Sequence, residues 1–201
     1  MSAADPIYLE AIERFRELLQ AAADAGEPEP IAMTLATASS DGRVSARTVL
    51  LKEVDERGFV FYTNTHSRKG RQLEMNPQAA LLFHWKRLRN GVQVKVEGHV
   101  EPVTPAEADA YFASRPYLSQ IGAWASLQSE TLDQRATLEQ RVAMYRDRYP
   151  EGHVPRPPHW SGYRIRPSLI ELWFGEEFRL HQRDRYEVEE GGAWGRRMVF
   201  P

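Results

Sequence analysis

Ile31-Ala-Met-Thr-Leu-Ala-Thr-Ala38, Ser39-Ser-Asp-Gly42 and Arg43-Val-Ser-Ala-Arg-Thr-Val-Leu-Leu-Lys52 follow one another without a break. The two outer segments carry β-branched and apolar residues. The middle one is turn chemistry, because Asp and Gly reach the backbone angles that a tight reversal needs. A third run of the same kind, Phe59-Val-Phe-Tyr-Thr-Asn64, lies beyond a second turn, Asp55-Glu-Arg-Gly58. The pattern predicts a β-meander over residues 31–64. The alternation of strand and helix that marks a parallel sheet is missing.

On the N-terminal side, Leu9, Ile12, Phe15, Leu18 and Leu19 recur at helical spacing and predict an amphipathic helix over about 6–24. Gly26-Glu-Pro-Glu-Pro30 stops it. On the C-terminal side, Ser67 can cap a short helix that ends before Asn76-Pro77. Ala79–Trp85 reads as a central strand, and Val92, Val94 and Val96 alternate with polar residues in a half-buried strand running to Gly98. Thr104-Pro-Ala-Glu107 is a capping box that opens a helix to about Ser114. Leu138, Val142, Tyr145 and Tyr149 mark another helix, and Val154-Pro-Arg-Pro-Pro158 is a stiff connector. Short strands are expected at Tyr163–Arg166, Leu169–Phe174, Phe178–Tyr186 and Trp194–Phe200. Roughly seven or eight strands and three or four helices, mostly joined by hairpins, define a mainly β (α+β) class: an antiparallel closed or split β-barrel with flanking helices. One domain over residues 1–201 is expected, with an N-terminal helix (1–26), a core barrel (31–103), a helical segment (104–150) and closing C-terminal strands (160–201).

Composition narrows the function. The chain has 26 basic and 28 acidic residues, a net charge of -2, which argues against a broad nucleic-acid grip but leaves room for a local anion site. It has no cysteine, so disulfides, thiolate metal sites and a cysteine nucleophile are excluded, in keeping with a cytoplasmic location. The N-terminus has no apolar signal core, and no run approaches the length of a membrane span, so neither a secretory leader nor a membrane anchor is expected. The six histidines are scattered, and no metal site is expected. Gly-rich phosphate loops and the Gly-x-Ser-x-Gly elbow are absent as well.

Four groups of residues could carry chemistry. Arg47 and Lys52 bracket an apolar strand, on opposite faces by parity unless the strand ends early. Ser67-Arg68-Lys69 opens a helix, where free N–H groups and two cations suit a phosphate. In Arg179-Leu-His-Gln-Arg183, residues 179, 181 and 183 share a face if the segment is a strand, and two guanidiniums beside an imidazole call for an anion. Tyr111 and Arg115 share a helix face, with Ser119 and the polar stretch through Gln128-Ser129 beyond. Each also has an ordinary reading. These are solvated strand ends, a Ser cap with exposed charges, a polar strand face, and a loop with one buried Trp.

In combination and order, these stretches resemble the pyridoxine/pyridoxamine 5′-phosphate oxidases, a family of FMN enzymes. The matching segments are Arg47–Lys52, Phe59–Asn64, Ser67–Lys69, Gln93-Val-Lys-Val-Glu-Gly98, Tyr111-Phe-Ala-Ser-Arg-Pro116, Ser119–Ser126, Gln128-Ser129 and Arg179-Leu-His181. The resemblance implies a split-barrel homodimer with FMN at the subunit interface. It assigns FMN to Arg47, Thr48, Val49, Leu50, Leu51, Lys52, Tyr62, Thr63, Arg68, Lys69, Gln93, Gln128, Ser129, Trp173 and Arg183. It assigns the substrate to Lys52, Tyr111, Arg115, Ser119, Arg179, Leu180 and His181, with Arg179 and His181 as the catalytic pair. The implied reaction oxidises pyridoxamine or pyridoxine 5′-phosphate to pyridoxal 5′-phosphate, with dioxygen as acceptor and hydrogen peroxide as by-product. A related oxidase of phenazine-type precursors and a non-catalytic carrier of FMN or pyridoxal phosphate are the alternatives. Many members carry a longer N-terminal arm with an Arg and a Tyr; this chain starts near its first helix, and that part of the lid is expected to be lacking. Gln182 stands where the family has an acidic residue, which is expected to bear on His181. Thr48 stands where Met is common, and the hairpin near Arg87–Gly91 is about two residues longer than usual, a tolerated insertion.

Overall fold

Asp5 and Pro6 start the first helix. The Asp5 carboxylate accepts the Ile7 N–H at 2.9 Å, and Pro6 occupies the first turn, where a missing N–H has no consequence. This computed structural model describes residues 5–201, so residues 1–4 of the expected N-terminal segment lie outside the described residues. Helix α1 (Pro6–Asp24) buries Tyr8, Ala11, Ile12, Phe15, Leu18 and Ala22. Leu9, counted with the stripe by spacing, lies at its edge and is exposed. The Phe15 ring sits 4.8 Å from Phe59 and 5.0 Å from Phe83, so α1 plugs the concave face of the sheet.

That sheet is antiparallel and contains β1 (Ala32–Ala38), β2 (Val44–Leu50), β3 (Glu53–Asp55), β4 (Gly58–Asn64), β5 (Gln78–Trp85), β6 (Val92–Pro102), β7 (Trp160–Phe174), β8 (Gln182–Val188) and β9 (Trp194–Met198). The strand order is β2-β1-β5-β6-β7-β4-β3, with β8 and then β9 added beside β7. Leu35, Leu81, Phe83, Val92, Val94, Val96, Ile170 and Leu172 are fully buried beneath α1. It is a curled split barrel with flanking helices, as the strand count and turn chemistry predict.

The meander is corrected. β1 and β2 form the expected hairpin, but β4 pairs with β3 and β7, not with β2. Phe59, Val60 and Phe61 are all fully buried, so β4 needs cover on both faces and takes an inner position. The turn Asp55–Gly58 reverses the chain onto the three-residue strand β3, which the sequence pattern does not reveal. The strands expected at 163–166 and 169–174 are one strand, β7. Pro167 lies opposite Gly98, where the register shifts, and a proline without an N–H is tolerated at such a bulge. β6 correspondingly runs past Gly98 to Pro102.

The helices are α2 (Arg68–Met75), α3 (Pro105–Ser114), α4 (Tyr117–Ala125) and α5 (Arg135–Arg148). α2 and α3 carry the predicted Ser67 cap and Thr104–Glu107 capping box. α4 covers most of the stretch whose ordinary reading is a loop; it has no side-chain cap to announce it. α5 packs on α4 and buries no residue fully, while Tyr149 lies just beyond its end. Among the described residues, no helix is long and apolar enough to cross a membrane, and no cluster of His, Asp and Glu could hold a metal ion.

Candidate active site

Ser67 both caps α2 and anchors it, accepting the Gly70 N–H at 3.3 Å and donating to the Asn64 carbonyl at 2.7 Å. Gly70 lets the helix come this close, because a Cβ there would stand 2.0 Å from the Thr65 carbonyl oxygen. The close approach carries Lys69 inward. Its Nζ donates to Gln128 Oε1 at 2.7 Å, Thr63 Oγ1 at 3.0 Å and Ser67 Oγ at 3.2 Å, all neutral acceptors. Burial, and then the charge of Arg47, push this amine down to about 8.

Arg47 projects from β2 and donates to the Leu35 carbonyl at 3.0 Å, to Thr37 Oγ1 at 2.7 Å and to Ser45 Oγ. Gln72 of α2 accepts from both hydroxyls, at 2.6 Å from Thr37 and 2.8 Å from Ser45, and so sets the lone pairs that face Arg47. Burial and the neighbouring Arg68 both push the Arg47 guanidinium down. Lys52 belongs to the same region because β2 ends at Leu50; the opposite-face parity expected for residues 47 and 52 does not apply. The Lys52 N–H turns to the Val60 carbonyl at 2.8 Å, and its side chain is exposed.

Arg115 stands just past the end of α3. Its guanidinium lies 4.8 Å from the Trp160 ring centroid and 5.7 Å from that of Phe112. Its Nη1 is buried and has no hydrogen-bond partner among the described residues. Burial pushes this group down, with Tyr111 opposing. Tyr62 stacks on Tyr111 at 4.1 Å and on Trp160 at 5.3 Å, forming an aromatic wall.

These residues line one cleft of about 700 Å3. It brings together Arg47, Thr48, Val49, Leu50, Lys52, Tyr62, Thr63, Lys69, Tyr111, Arg115, Ser119 and Gln128 of the predicted set. It adds Ser114 and Pro116, which lie in the matching segment Tyr111–Pro116 but were given no role, and Trp160, which no sequence signal marked. Among the described residues, none of Arg47, Lys52, Arg68, Lys69 and Arg115 pairs with a carboxylate. Three predicted residues from neighbouring segments, Leu51, Arg68 and Ser129, do not line it. Leu51 is buried in the apolar core, and Arg68 lines a surface groove with Arg43 and Arg71. The Arg68 N–H donates to Ser129 Oγ at 3.1 Å, and Ser129 has φ 77°.

The remaining predicted residues form a second group. Gln93, Trp173 and Arg183 are successive partners across β6, β7 and β8. The His181 ring lies 4.5 Å from that of Trp173, and its Nδ1 accepts the Glu176 N–H at 3.1 Å. In the neutral ring the proton therefore sits on Nε2, leaving a donor there. Gln182 turns away and donates to Asp184, at 3.1 Å and 3.2 Å to its two oxygens; it does not set His181. The expected common strand face for 179, 181 and 183 is corrected. β8 starts only at Gln182, and Phe178 and Arg179 adopt φ 54° and 64°. Arg183 is gripped by Glu171 through both carboxylate oxygens, at 2.9 Å and 3.0 Å from Nη2. None of these residues lines the Arg47 cleft. Phe178, Leu180, Met198 and Phe200 are left exposed around them.

The Lys69 environment makes a pH prediction. The folded pKa lies below the ordinary 10.5, so the unfolded chain binds more protons between about 8 and 10.5, and stability without a bound anion rises with pH across that window. Affinity for a phosphate monoester has the opposite trend. It is flat from about pH 7, where the phosphate is already largely dianionic, and falls as pH passes about 8 and Lys69 loses its proton. Titrations with a phosphate monoester between pH 7 and 9.5 should show this fall, and Lys69→Arg should abolish it.

Comparison with known proteins places these features. A family model described as "Pyridoxamine 5'-phosphate oxidase" matches residues 18–149, and one described as "Pyridoxine 5'-phosphate oxidase C-terminal dimerisation region" matches residues 160–201. A pyridoxine/pyridoxamine 5′-phosphate oxidase of Myxococcus xanthus (strain DK1622) is 55% identical over 190 residues, covering 94% of this chain and 91% of that protein. The protein of the same name from Xanthomonas campestris pv. campestris (strain 8004) is 53% identical over 196 residues, 97% of this chain and 98% of that one. Among solved structures, PhzG from Burkholderia lata 383, in complex with tetrahydrophenazine-1-carboxylic acid, superposes with a TM-score of 0.88 at 34% identity. The match covers 98% of this chain and 93% of that one.

Proposed function

The chain belongs to the pyridoxamine 5′-phosphate oxidase family, and on that premise we propose that it oxidises pyridoxamine and pyridoxine 5′-phosphate at C4′ to pyridoxal 5′-phosphate, using FMN and dioxygen. The observation that carries the reading is the set of cations without carboxylate partners in and beside one cleft. Unneutralised buried charge is costly unless an anion completes it, and both FMN and the substrate are phosphate monoesters. The residues fit two such groups. Arg47 and Lys69, with Arg68 beside them, would hold the FMN phosphate, supported by Thr63, Gln128 and Ser129. Arg115, Lys52, Tyr111 and Ser119 would hold the substrate phosphate. When bound, the flavin supplies the hydride acceptor, and its reoxidation by dioxygen releases hydrogen peroxide.

The protein's part is to bind, orient and polarise. Fixing the phosphate at a distance from C4′ holds the substrate for reaction and converts binding energy into alignment. His181, with its proton on Nε2, offers a hydrogen-bond donor, and Arg179 offers a fixed positive charge. Both would face the substrate ring. Trp173, Gln93 and Arg183 would complete the flavin site. Because these five residues lie apart from the Arg47 cleft, the reading requires a second copy of the chain to bring them to it. The match of residues 160–201 to a dimerisation region and the exposed Phe178, Leu180, Met198 and Phe200 support that homodimer.

Mixed dimers test this directly. At substrate concentrations below the native KM, Arg115→Met and Arg179→Ala chains should each be nearly inactive. Coexpressed, about half of the dimers are mixed, and twofold symmetry gives each mixed dimer one site with both native residues, so about a quarter of native activity returns. No recovery would mean that one chain builds the whole site. Peroxide release from pyridoxamine 5′-phosphate separates the oxidase from a carrier, and its absence alongside turnover of phenazine-type precursors would favour the PhzG-like reading.

A further inference from the structure

We propose that Trp160 is a positioning residue for the substrate phosphate: its indole face carries the Arg115 guanidinium while leaving that guanidinium's charge unspent. The inference rests on the reading above that Arg115 takes this phosphate. The arginines four residues to either side of Trp160 are held by carboxylates. Arg156 pairs with Asp109 at 2.6 Å, and Arg164 with Asp55 at 2.8 Å and Glu107 at 3.0 Å. Such pairing fixes a side chain but cancels its charge. Arg115 instead sits over two aromatic rings, 4.8 Å from Trp160 and 5.7 Å from Phe112, with Nη1 buried and unpartnered. An aromatic face attracts a cation through its quadrupole and offers no lone pair, so the N–H fork stays open for an anion.

The indole is itself immobilised. Trp160 is 5% exposed and begins β7, where it pairs with Asn64. Its backbone N–H donates to the Pro157 carbonyl at 3.0 Å, and its backbone carbonyl accepts Arg156 Nη1 at 2.8 Å. Arg156 in turn grips Asp109 of α3, the helix that ends just before Arg115. Tyr62 stacks on one side of the ring at 5.3 Å and 9°, and Phe112 meets it edge-on at 5.1 Å. Gly162 makes room for this stack, since a Cβ there would stand 2.7 Å from the Tyr62 ring. Trp160 therefore offers Arg115 a rigid, uncharged seat.

The test compares Trp160→Leu, which keeps apolar bulk without a ring, with Trp160→Phe, which keeps a π face. Measurements are kcat and KM of the FMN-loaded dimer with pyridoxine 5′-phosphate, the inhibition constant of inorganic phosphate, and the FMN dissociation constant. Trp160→Leu should raise KM and the phosphate inhibition constant together by about 10- to 30-fold, with kcat and FMN affinity within about twofold, and Trp160→Phe should recover most of the loss. If the Leu variant does not fold, Trp160→Met fills the space with an unbranched chain. Equal defects in the Phe and Leu variants, an unchanged KM, or a loss confined to kcat or FMN binding would each overturn the proposal. If the native enzyme neither turns over the substrate nor is inhibited by phosphate, the oxidase reading fails first, independently of Trp160.

Discussion

Arg115→Met is expected to lower kcat/KM for pyridoxine 5′-phosphate by about 100-fold or more, mostly through KM, while raising the melting temperature. The kinetic loss follows from removing two charge-assisted hydrogen bonds to a phosphate, on the order of 3 kcal/mol together. The gain in stability follows from the native state of the side chain. Its Nη1 is buried without a partner, and burial already pushes the guanidinium down. Methionine fills the same length without that desolvation cost, so a rise of a few degrees is expected. FMN binding should be unaffected, because the cations beside Gln128 and Thr63 are untouched. Steady-state kinetics, flavin absorbance and a thermal melt on one preparation check all three. A fall in melting temperature with unchanged KM would show that Arg115 is a structural residue.

Arg47→Ala is expected to weaken FMN binding by about 100-fold and to leave the turnover of reloaded enzyme near native. The substitution removes the fork that Leu35, Thr37 and Ser45 aim into the cleft. The local fold should persist, because Thr37 and Ser45 remain bonded to Gln72. It also removes the charge that helps to depress Lys69, so the pH above which phosphate affinity falls should move upward from about 8. Flavin fluorescence titration measures both effects. Unchanged affinity would remove Arg47 from the phosphate site.

Local chemistry was legible where a residue's role depends on its chain neighbours. Ser67 and Thr104 cap their helices as spacing predicts, and the apolar stripe of α1 lies where the 3.6-residue period puts it. Strand partnership was not. The turn at Asp55–Gly58 states that the chain reverses but not which strand β4 will meet, and burial on both faces drew β4 to β7. The same limit hid α4, which has no cap, and the left-handed turn at Phe178 and Arg179, which broke the expected row with His181 and Arg183.

For the site, the sequence by itself determined which side chains are available: cations at 47, 52, 68, 69 and 115, polar helpers around them, and the Arg179–His181 pair. Their identity and order suffice for that, because charge and hydrogen-bonding capacity belong to the residue. Tertiary structure alone decided which of these cations remain unneutralised. Arg156, Arg164 and Arg183 look no different on paper from Arg47 and Arg115, yet the first three meet carboxylates and the last two do not. The physical reason is that neutralisation acts over a few ångströms in space, between residues many positions apart in the chain. Trp160 is the clearest instance, a tryptophan with no motif of its own that folding sets beneath a half-buried guanidinium held by no carboxylate.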